Sequence, residues 1–532
     1  MLTAFLIYLV GVGALGWIAH RFLTEGQFVK DYFLGNRRLG PWVLALSFAA
    51  TAISGGTFMG FPALIYTNGW VMALWIAGYM FVPLCTMAVL GKRINQASRL
   101  SGSITIPDVL RDRFESPSIA VLTSLILILF LGVNLVAQFK AGGLLMLEAW
   151  REVIESSSTF QGQVVLGSQS VPRDYLFGVS LFVIMVVAYT TYGGFWGVTL
   201  TDVLEGLIML FGAVTLAVLA LVKVGGLGEA TAALLREDPA LVYGPGPPVL
   251  GAEGAILRPG FLPPHLAVSF FIQWTIIGIA QPGQLVRLMS FREMKSLQRA
   301  LCLCAVYYAL IYASLLVVFI CARALYPPAA LGVTKTDDIM PFMIRQLASP
   351  ISTVLAGILL AAPYAAIMST VAAYLLIVSS SLVRDIYQRM LRPNASAKTL
   401  RRLSYAVTLA VGLVAFAGAV DQGVSSASGG AHHGIPPRFL QQIIVFSTEG
   451  LGVCLLAPVF LGLYWRGTTR AGALAGMLGG LACHLSLYWA GFIPLLVSLT
   501  VSFLLTILVS RWSAPGSLAV LDRYFPRGPS AT

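Results

Sequence analysis

Apolar stretches long enough to cross a bilayer follow one another along this chain almost without a break, and that succession limits its fold more than any motif does. Crossing the hydrocarbon takes about 20 apolar residues as a helix. Only helices and closed barrels satisfy every backbone group there. Thirteen such stretches can be read, at about residues 2–19, 42–66, 70–90, 118–149, 174–191, 197–223, 264–284, 298–325, 350–383, 403–420, 439–464, 470–489 and 491–510, numbered here as spans 1 to 13. They take up so much of the 532 residues that no sizeable soluble domain fits between them. Only 11% of residues are charged and 58% are hydrophobic, against about 25% charged in a soluble domain. The expected fold is an all-α polytopic membrane protein of about 13 transmembrane helices, and a water-soluble enzyme is excluded.

The net charge of +12 would suggest nucleic acid in a soluble protein. In a membrane protein, Lys and Arg of short loops collect on the cytoplasmic side instead. Twenty-four of the 34 follow odd-numbered spans, nine lie on the opposite side, and Lys140 falls inside span 4. This predicts a cell-membrane protein with its N-terminus outside and its C-terminus in the cytoplasm. Arg37, Arg38, Lys92, Arg93, Arg384, Arg401 and Arg402 then lie inside, and the lipid bilayer, not nucleic acid, is the partner. The first stretch lacks a positive n-region and an A-x-A-like cleavage site, so it is expected to be a retained helix.

Several motifs carry less than they promise. Gly11, Gly13 and Gly16 spell GxGxxG, but inside an apolar span they serve close helix packing rather than a dinucleotide, which needs a strand-turn-helix setting. Asn394-Ala395-Ser396 is a glycosylation sequon in a loop expected to be cytoplasmic. His432 and His433 have no acidic or Cys partners nearby in sequence, and the six cysteines all fall in apolar spans without paired metal spacing. HExxH, a P-loop and GxSxG are all absent, so no enzyme and no cofactor is expected.

Two spans lose regular helix propensity at corresponding positions. Span 2 reads Ala49-Ala50-Thr51-Ala52-Ile53-Ser54-Gly55-Gly56-Thr57-Phe58-Met59-Gly60-Phe61-Pro62, and span 7 reads Gly278-Ile279-Ala280-Gln281-Pro282-Gly283. They are five spans apart, an odd number, so the five-helix units they open enter the membrane from opposite sides. Paired interruptions of this kind mark the binding centre of inverted-repeat transporters. In span 9, Ala366, Ser369 and Thr370 lie at i, i+3 and i+4 and share one helical face. Their two hydroxyls and one carbonyl, with unwound carbonyls of span 2, offer the oxygen ligands that a hard cation such as sodium prefers. The alternative is that the hydroxyls bond back to their own helix.

These features combine with Asp31-Tyr32-Phe33-Leu34-Gly35-Asn36-Arg37, with Tyr189 to Asp202, and with Ala365-Ala366-Ile367-Met368-Ser369-Thr370 followed by Ser379-Ser380-Ser381 and Asp385-Ile386-Tyr387. Together they resemble the sodium:solute symporter family over nearly the whole chain. Gly462-Leu463-Tyr464-Trp465 and Gly472-Ala473-Leu474 look most like its pantothenate branch, while Met59-Gly60-Phe61-Pro62 and Gln281-Pro282 also look like its proline branch. The resemblance implies a LeuT-type 5+5 inverted-repeat core, spans 2 to 11, with discontinuous spans 2 and 7. The divisions would be 1–41 for the first helix and its loop, 42–261 and 262–466 for the repeats, and 467–532 for two accessory helices and a tail. It also implies a sodium site at the carbonyls of Ala50 and Ile53, at Ser54, and at Ala366, Ser369 and Thr370, with Asp202 on the sodium route and Trp274 lining the solute pocket. Departures from the family pattern are Ala52, where some members are acidic, Gly283 for a histidine, and Glu205 for a glutamine.

Ionisable residues within spans are functional candidates by default. Lys140 either snorkels to the outer surface or contacts an anionic solute, and Glu449, near the middle of span 11, is expensive unless paired, hydrated or protonated. The expected function is sodium-coupled import of a small organic solute, a carboxylate such as pantothenate or a monocarboxylate. The solute would be bound around Gly56, Thr57, Trp274, Gly278, Gln281, Glu449 and Lys140, with no obligate protein partner. The alternatives are a proton-coupled transporter and a sensor built on a transporter fold.

Overall fold

A computed structural model describes residues 1–22, 28–166, 169–250, 256–328, 338–427, 440–489 and 495–526. His432 and His433 lie outside these residues. Helices dominate. Two small antiparallel hairpins qualify the all-α expectation: Gln163–Leu166 pairs with Gln169–Pro172, and Val249–Leu250 with Ile256–Arg258. Both fall between spans, where water can reach the backbone.

By length and apolarity, ten helices among the described residues can cross a membrane, or eleven if the bent pair Pro264–Ala280 and Pro282–Ser290 is one span. The thirteen spans expected differ from this mainly through runs longer than one crossing. Gly56–Ser101 has 46 residues and Arg173–Val224 has 52, whereas about 20 suffice. Within the longer run Gly194 adopts φ 55° and ψ −149°, a conformation open to glycine, so the helix breaks there into two, between spans 5 and 6. The side chain of Tyr32 packs where a Cβ would stand.

The spans expose apolar side chains outward, as a hydrocarbon solvent allows: Ile7, Val10, Val222 and Val414 are all at least 70% exposed. Polar side chains gather inside and at the ends. At the end expected to be cytoplasmic, Arg37 donates to the carbonyls of Ser98 and Ser103, and Asn95 and Arg99 donate to carbonyls between Leu288 and Arg292. There Asp108 of the short helix Ile106–Phe114 also pairs with Arg384 and Arg389 beyond span 9. At the other end, the segment between spans 6 and 7 is more than a connection. Its helix Leu227–Glu237 is fixed by Trp70 Nε1 donating to Thr231 Oγ1 at 3.1 Å and by an Arg323–Glu237 ion pair.

Ring contacts divide the helices into two groups. Tyr79 of span 3 stacks on Trp274 of span 7 at 4.1 Å and on Tyr312 of span 8 at 4.9 Å, and Phe61 of span 2 meets Tyr79 edge-on. Separately, Phe182 of span 5 contacts Phe139 of span 4 and Tyr364 of span 9. Among the ring pairs described, none joins spans 2, 3, 7 and 8 to spans 4, 5, 9 and 10.

Candidate functional site

The break in span 2 follows from its own hydrogen bonds. Helix Pro41–Ala52 ends at Ile53, whose φ −86° and ψ 115° are extended, and an irregular turn, Gly56–Gly60, restarts the span. In a regular helix the Ser54 N–H would bond the Ala50 carbonyl and the Thr57 N–H the Ile53 carbonyl. Here the Ser54 N–H goes to Thr57 Oγ1, the Gly55 N–H to Gln138 Oε1 at 3.0 Å, the Gly56 N–H to Ser54 Oγ, and the Thr57 N–H to the Ser54 carbonyl. The carbonyls of Ala50 and Ile53 thereby lose their helical partners. Thr370 Oγ1 lies 3.3 Å from the Ile53 oxygen and 3.0 Å from the Ala366 oxygen. Ile53, Ala366 and Thr370 are thus brought together in a buried place.

Ser369, one residue away, donates to Asp202 Oδ1 at 2.6 Å. That bond directs its proton toward the carboxylate and leaves its lone pairs for a cation. Asp202 also accepts from Ser47 Oγ and pairs with Arg287 at 2.9 Å, all of them buried. Arg287 lies beyond the stretch 264–284 that the sequence marks as span 7, and is not among the site residues expected from it. The apolar Leu285, Val286, Leu288 and Met289 around it were the available signal, and helix Pro282–Ser290 continues through them.

Span 7 breaks at Gln281, which is extended (ψ 120°) before Pro282 after a tight turn, Ile277–Ala280. The two inner half-helices meet closely: a Cβ on Gly283 would stand 2.7 Å from Thr51 Cγ2, so glycine there lets span 7 lie against span 2. Beside the breaks is a cavity enclosing about 570 Å³ of empty space, mouth included, but only about 50 Å³ where a water-sized centre fits. It is a narrow cleft. Ser54, Trp274, Gly278 and Gln281 line it, along with Tyr79, Gln284, Tyr308, Tyr374 and Thr448. No Lys, Arg, Asp or Glu does so among the described residues. Trp274 Nε1, Gln284 Oε1 and Tyr308 Oη, on residues that line the cleft, are buried without a hydrogen-bond partner among the described residues.

The other expected residues lie off its wall. Gly56 is buried in the restarted turn, and Thr57 faces Tyr312, their hydroxyls 3.3 Å apart. Glu449 is 1% exposed, with Oε1 unpartnered among the described residues, and its neighbour Thr448 reaches the cleft instead. Lys140 is half-buried on span 4. A polar chain missed in the sequence runs from the break outward: Gly55 to Gln138, Gln138 to Asn134, and Asn134 to Ser447 of span 11. Asn134 and Gln138, one turn apart in an apolar span, were its visible sign.

The profile of the Sodium:solute symporter family matches residues 32–151 and 152–480. The chain is 30% identical over 514 residues to the Sodium/pantothenate symporter of Escherichia coli (strain K12), covering 95% of each. It is 27% identical over 496 residues to the Sodium/proline symporter of Staphylococcus aureus (strain JH9), covering 90% of this chain and 83% of that one. Among solved structures, a Na⁺-coupled sialic acid symporter in its substrate-bound, outward-open state is similar, with a TM-score of 0.75 at 19% identity over 97% of this chain and 98% of that one.

Proposed function

The chain belongs to the sodium:solute symporter family, and on that premise we propose that it imports a small organic acid, pantothenate or a monocarboxylate, together with sodium by alternating access. Sodium, as coupling ion, binds between the break of span 2 and span 9, held by the carbonyls of Ala50, Ile53 and Ala366 and the hydroxyls of Ser369 and Thr370. The observation that carries this reading is the release of the Ala50 and Ile53 carbonyls by the Ile53–Ser54 break, with Thr370 against the Ile53 oxygen.

The solute occupies the cleft beside Ser54, Trp274, Gly278 and Gln281. With no basic side chain on that wall among the described residues, a carboxylate finds its counter-charge in the bound sodium next to Ser54. Sodium therefore raises solute affinity, and the coupling is reciprocal. Spans 2, 3, 7 and 8, tied by their aromatic stack, move as one body against the rest. With the N-terminus outside and the C-terminus in the cytoplasm, an inner negative potential draws sodium in by about 2.3 kcal/mol per charge per 100 mV.

Solute-evoked current in proteoliposomes tests this, with pantothenate, lactate, pyruvate, acetate and proline each given with and without sodium. A sodium-dependent current lost in Ser369→Ala/Thr370→Ala supports both coupling and site. A current indifferent to sodium rejects the coupling, and a current with proline alone rejects the solute class.

A further inference from the structure

Glu205 stands one turn beyond Asp202 on span 6, and neither carboxylate oxygen has a hydrogen-bond partner among the described residues, although the residue is 0% exposed. Its electrostatic neighbours are Asp202, Tyr8 of span 1, Tyr189 of span 5 and Tyr364 of span 9. Tyr364 Oη is itself buried without a hydrogen-bond partner among the described residues. Tyr8 and Tyr189 reach Met368, at Sδ 3.8 Å and at the carbonyl 3.4 Å, and the Tyr8 hydroxyl also interacts with the Glu205 carboxyl. Spans 2, 7 and 8 add Ser47, Arg287 and Tyr307 around the same turn, but Arg287 is committed to Asp202 and Tyr307 donates to the Gly206 carbonyl.

Two carboxylates thus stand one turn apart, and the one described guanidinium beside them pairs with Asp202 alone. A second buried negative charge there has no basic side chain paired with it among the described residues. Glu205 does not line the cleft, so a solute there does not meet its charge, and a buried carboxylate without a paired cation is most simply neutralised by binding a small cation of its own. A proton is such a cation.

We propose that Glu205 is a proton site, occupied in this state, and that its proton competes with sodium bound at Ser369 and Thr370. The inference rests on the sodium site proposed above. Sodium arriving next to Ser369, which is bonded to Asp202, supplies the missing positive charge. Glu205 then releases its proton to water and its carboxylate is balanced by sodium. A unit charge ~10 Å away at an effective dielectric of ~20 changes affinity by on the order of tenfold.

The test is sodium binding to the purified full-length protein in nanodiscs, followed by tryptophan fluorescence from about pH 6 to about pH 9, with proton release read by a dye in weak buffer. Sodium should bind about tenfold more tightly at the upper end and release protons. Glu205→Gln should bind sodium with no pH slope and no release. Should that variant not fold, Tyr8→Phe, which removes a hydroxyl beside the carboxyl, must shift the pH midpoint. A wild-type protein that binds sodium without pH slope or proton release overturns the proton site and leaves the sodium site standing. So does a slope that survives Glu205→Gln, or a midpoint unmoved by Tyr8→Phe. No sodium binding at any pH takes down both.

Discussion

Replacing Arg287 with glutamine strikes at a buried ion pair that joins span 7 to span 6. The guanidinium donates to Asp202 Oδ2 at 2.9 Å and to Ser47 Oγ at 3.1 Å, with the two side chains 3% and 0% exposed. Glutamine is shorter and neutral, so it strands the Asp202 charge in a dry interior. Removing one partner of a buried pair costs about 3–5 kcal/mol, mostly from the charge left behind, which is a drop of roughly a hundredfold or more in the folded-to-unfolded ratio. Asp202→Asn in the same background removes that stranded charge while keeping the shape. The double variant should therefore be more stable than Arg287→Gln alone, with a coupling of ~1–3 kcal/mol. Denaturation of the purified protein, followed by tryptophan fluorescence for the wild type, both single variants and the double, gives the four corners. In parallel, sodium titrations in proteoliposomes should show the single Arg287→Gln with tighter apparent sodium binding and slower turnover, since an uncompensated Asp202 holds the cation. Arg287→Gln within about 1 kcal/mol of the wild type, or a double variant whose loss is the sum of the two singles, would refute the claim that Arg287 is Asp202's counter-charge.

Trp274→Phe keeps the stack on Tyr79 but removes the Nε1 donor of a cleft-lining residue, and should raise solute KM by about tenfold with sodium affinity little changed, as uptake titrations would show. Gln284 offers an unpartnered acceptor, so lactate should be preferred over pyruvate by about tenfold or more, and Gln284→Met should erase that preference in competition assays. Gly283→Ala puts a methyl group 2.7 Å from Thr51 Cγ2 and should cut transport while Thr51→Ser in addition restores part of it. Gln138→Leu strands the Gly55 N–H and should cost about 1–3 kcal/mol in stability, read by thermal unfolding, with weaker sodium binding.

The breaks were legible because glycine and proline act on the backbone locally. Gly55-Gly56 and Gln281-Pro282 interrupt a helix whatever surrounds them, and the spacing of Ala366, Ser369 and Thr370 fixes one face of span 9 by helix geometry alone. Arg287 was not legible as a site residue, since its role depends on Asp202, 85 positions earlier, standing 2.9 Å away. A charge near the end of an apolar stretch reads as a loop charge until the partner is seen. Glu449 shows the opposite failure: depth along a span was read correctly as burial, but which way a helix turns its side chain is set by its neighbours, and Thr448 rather than Glu449 meets the cleft.

The division of contacts between the two helix groups bears directly on how sodium can drive a rigid-body movement. Within spans 2, 3, 7 and 8 the contacts are stacked rings, each worth about 0.5–1.5 kcal/mol beyond the area they bury, and they need not break as the group rotates. Across to the other spans the described polar contacts near the break are Gly55 to Gln138, Thr370 to the Ile53 carbonyl, and Asp202 to Ser47 and Arg287. The neutral bonds contribute about 1 kcal/mol each net, so the equilibrium between two orientations of the bundle turns mainly on whether the buried Arg287–Asp202 pair is kept. Moving such an equilibrium from 1:99 to 99:1 takes a ligand that prefers one state by about 5.5 kcal/mol. At the proposed site a cation would take carbonyls of span 2 and hydroxyls of span 9 together, so it would have ligands on both bodies, and any rotation that separates Ile53 from Thr370 would remove part of its shell. Its binding energy is therefore spent on one orientation, which is the differential affinity that coupling requires.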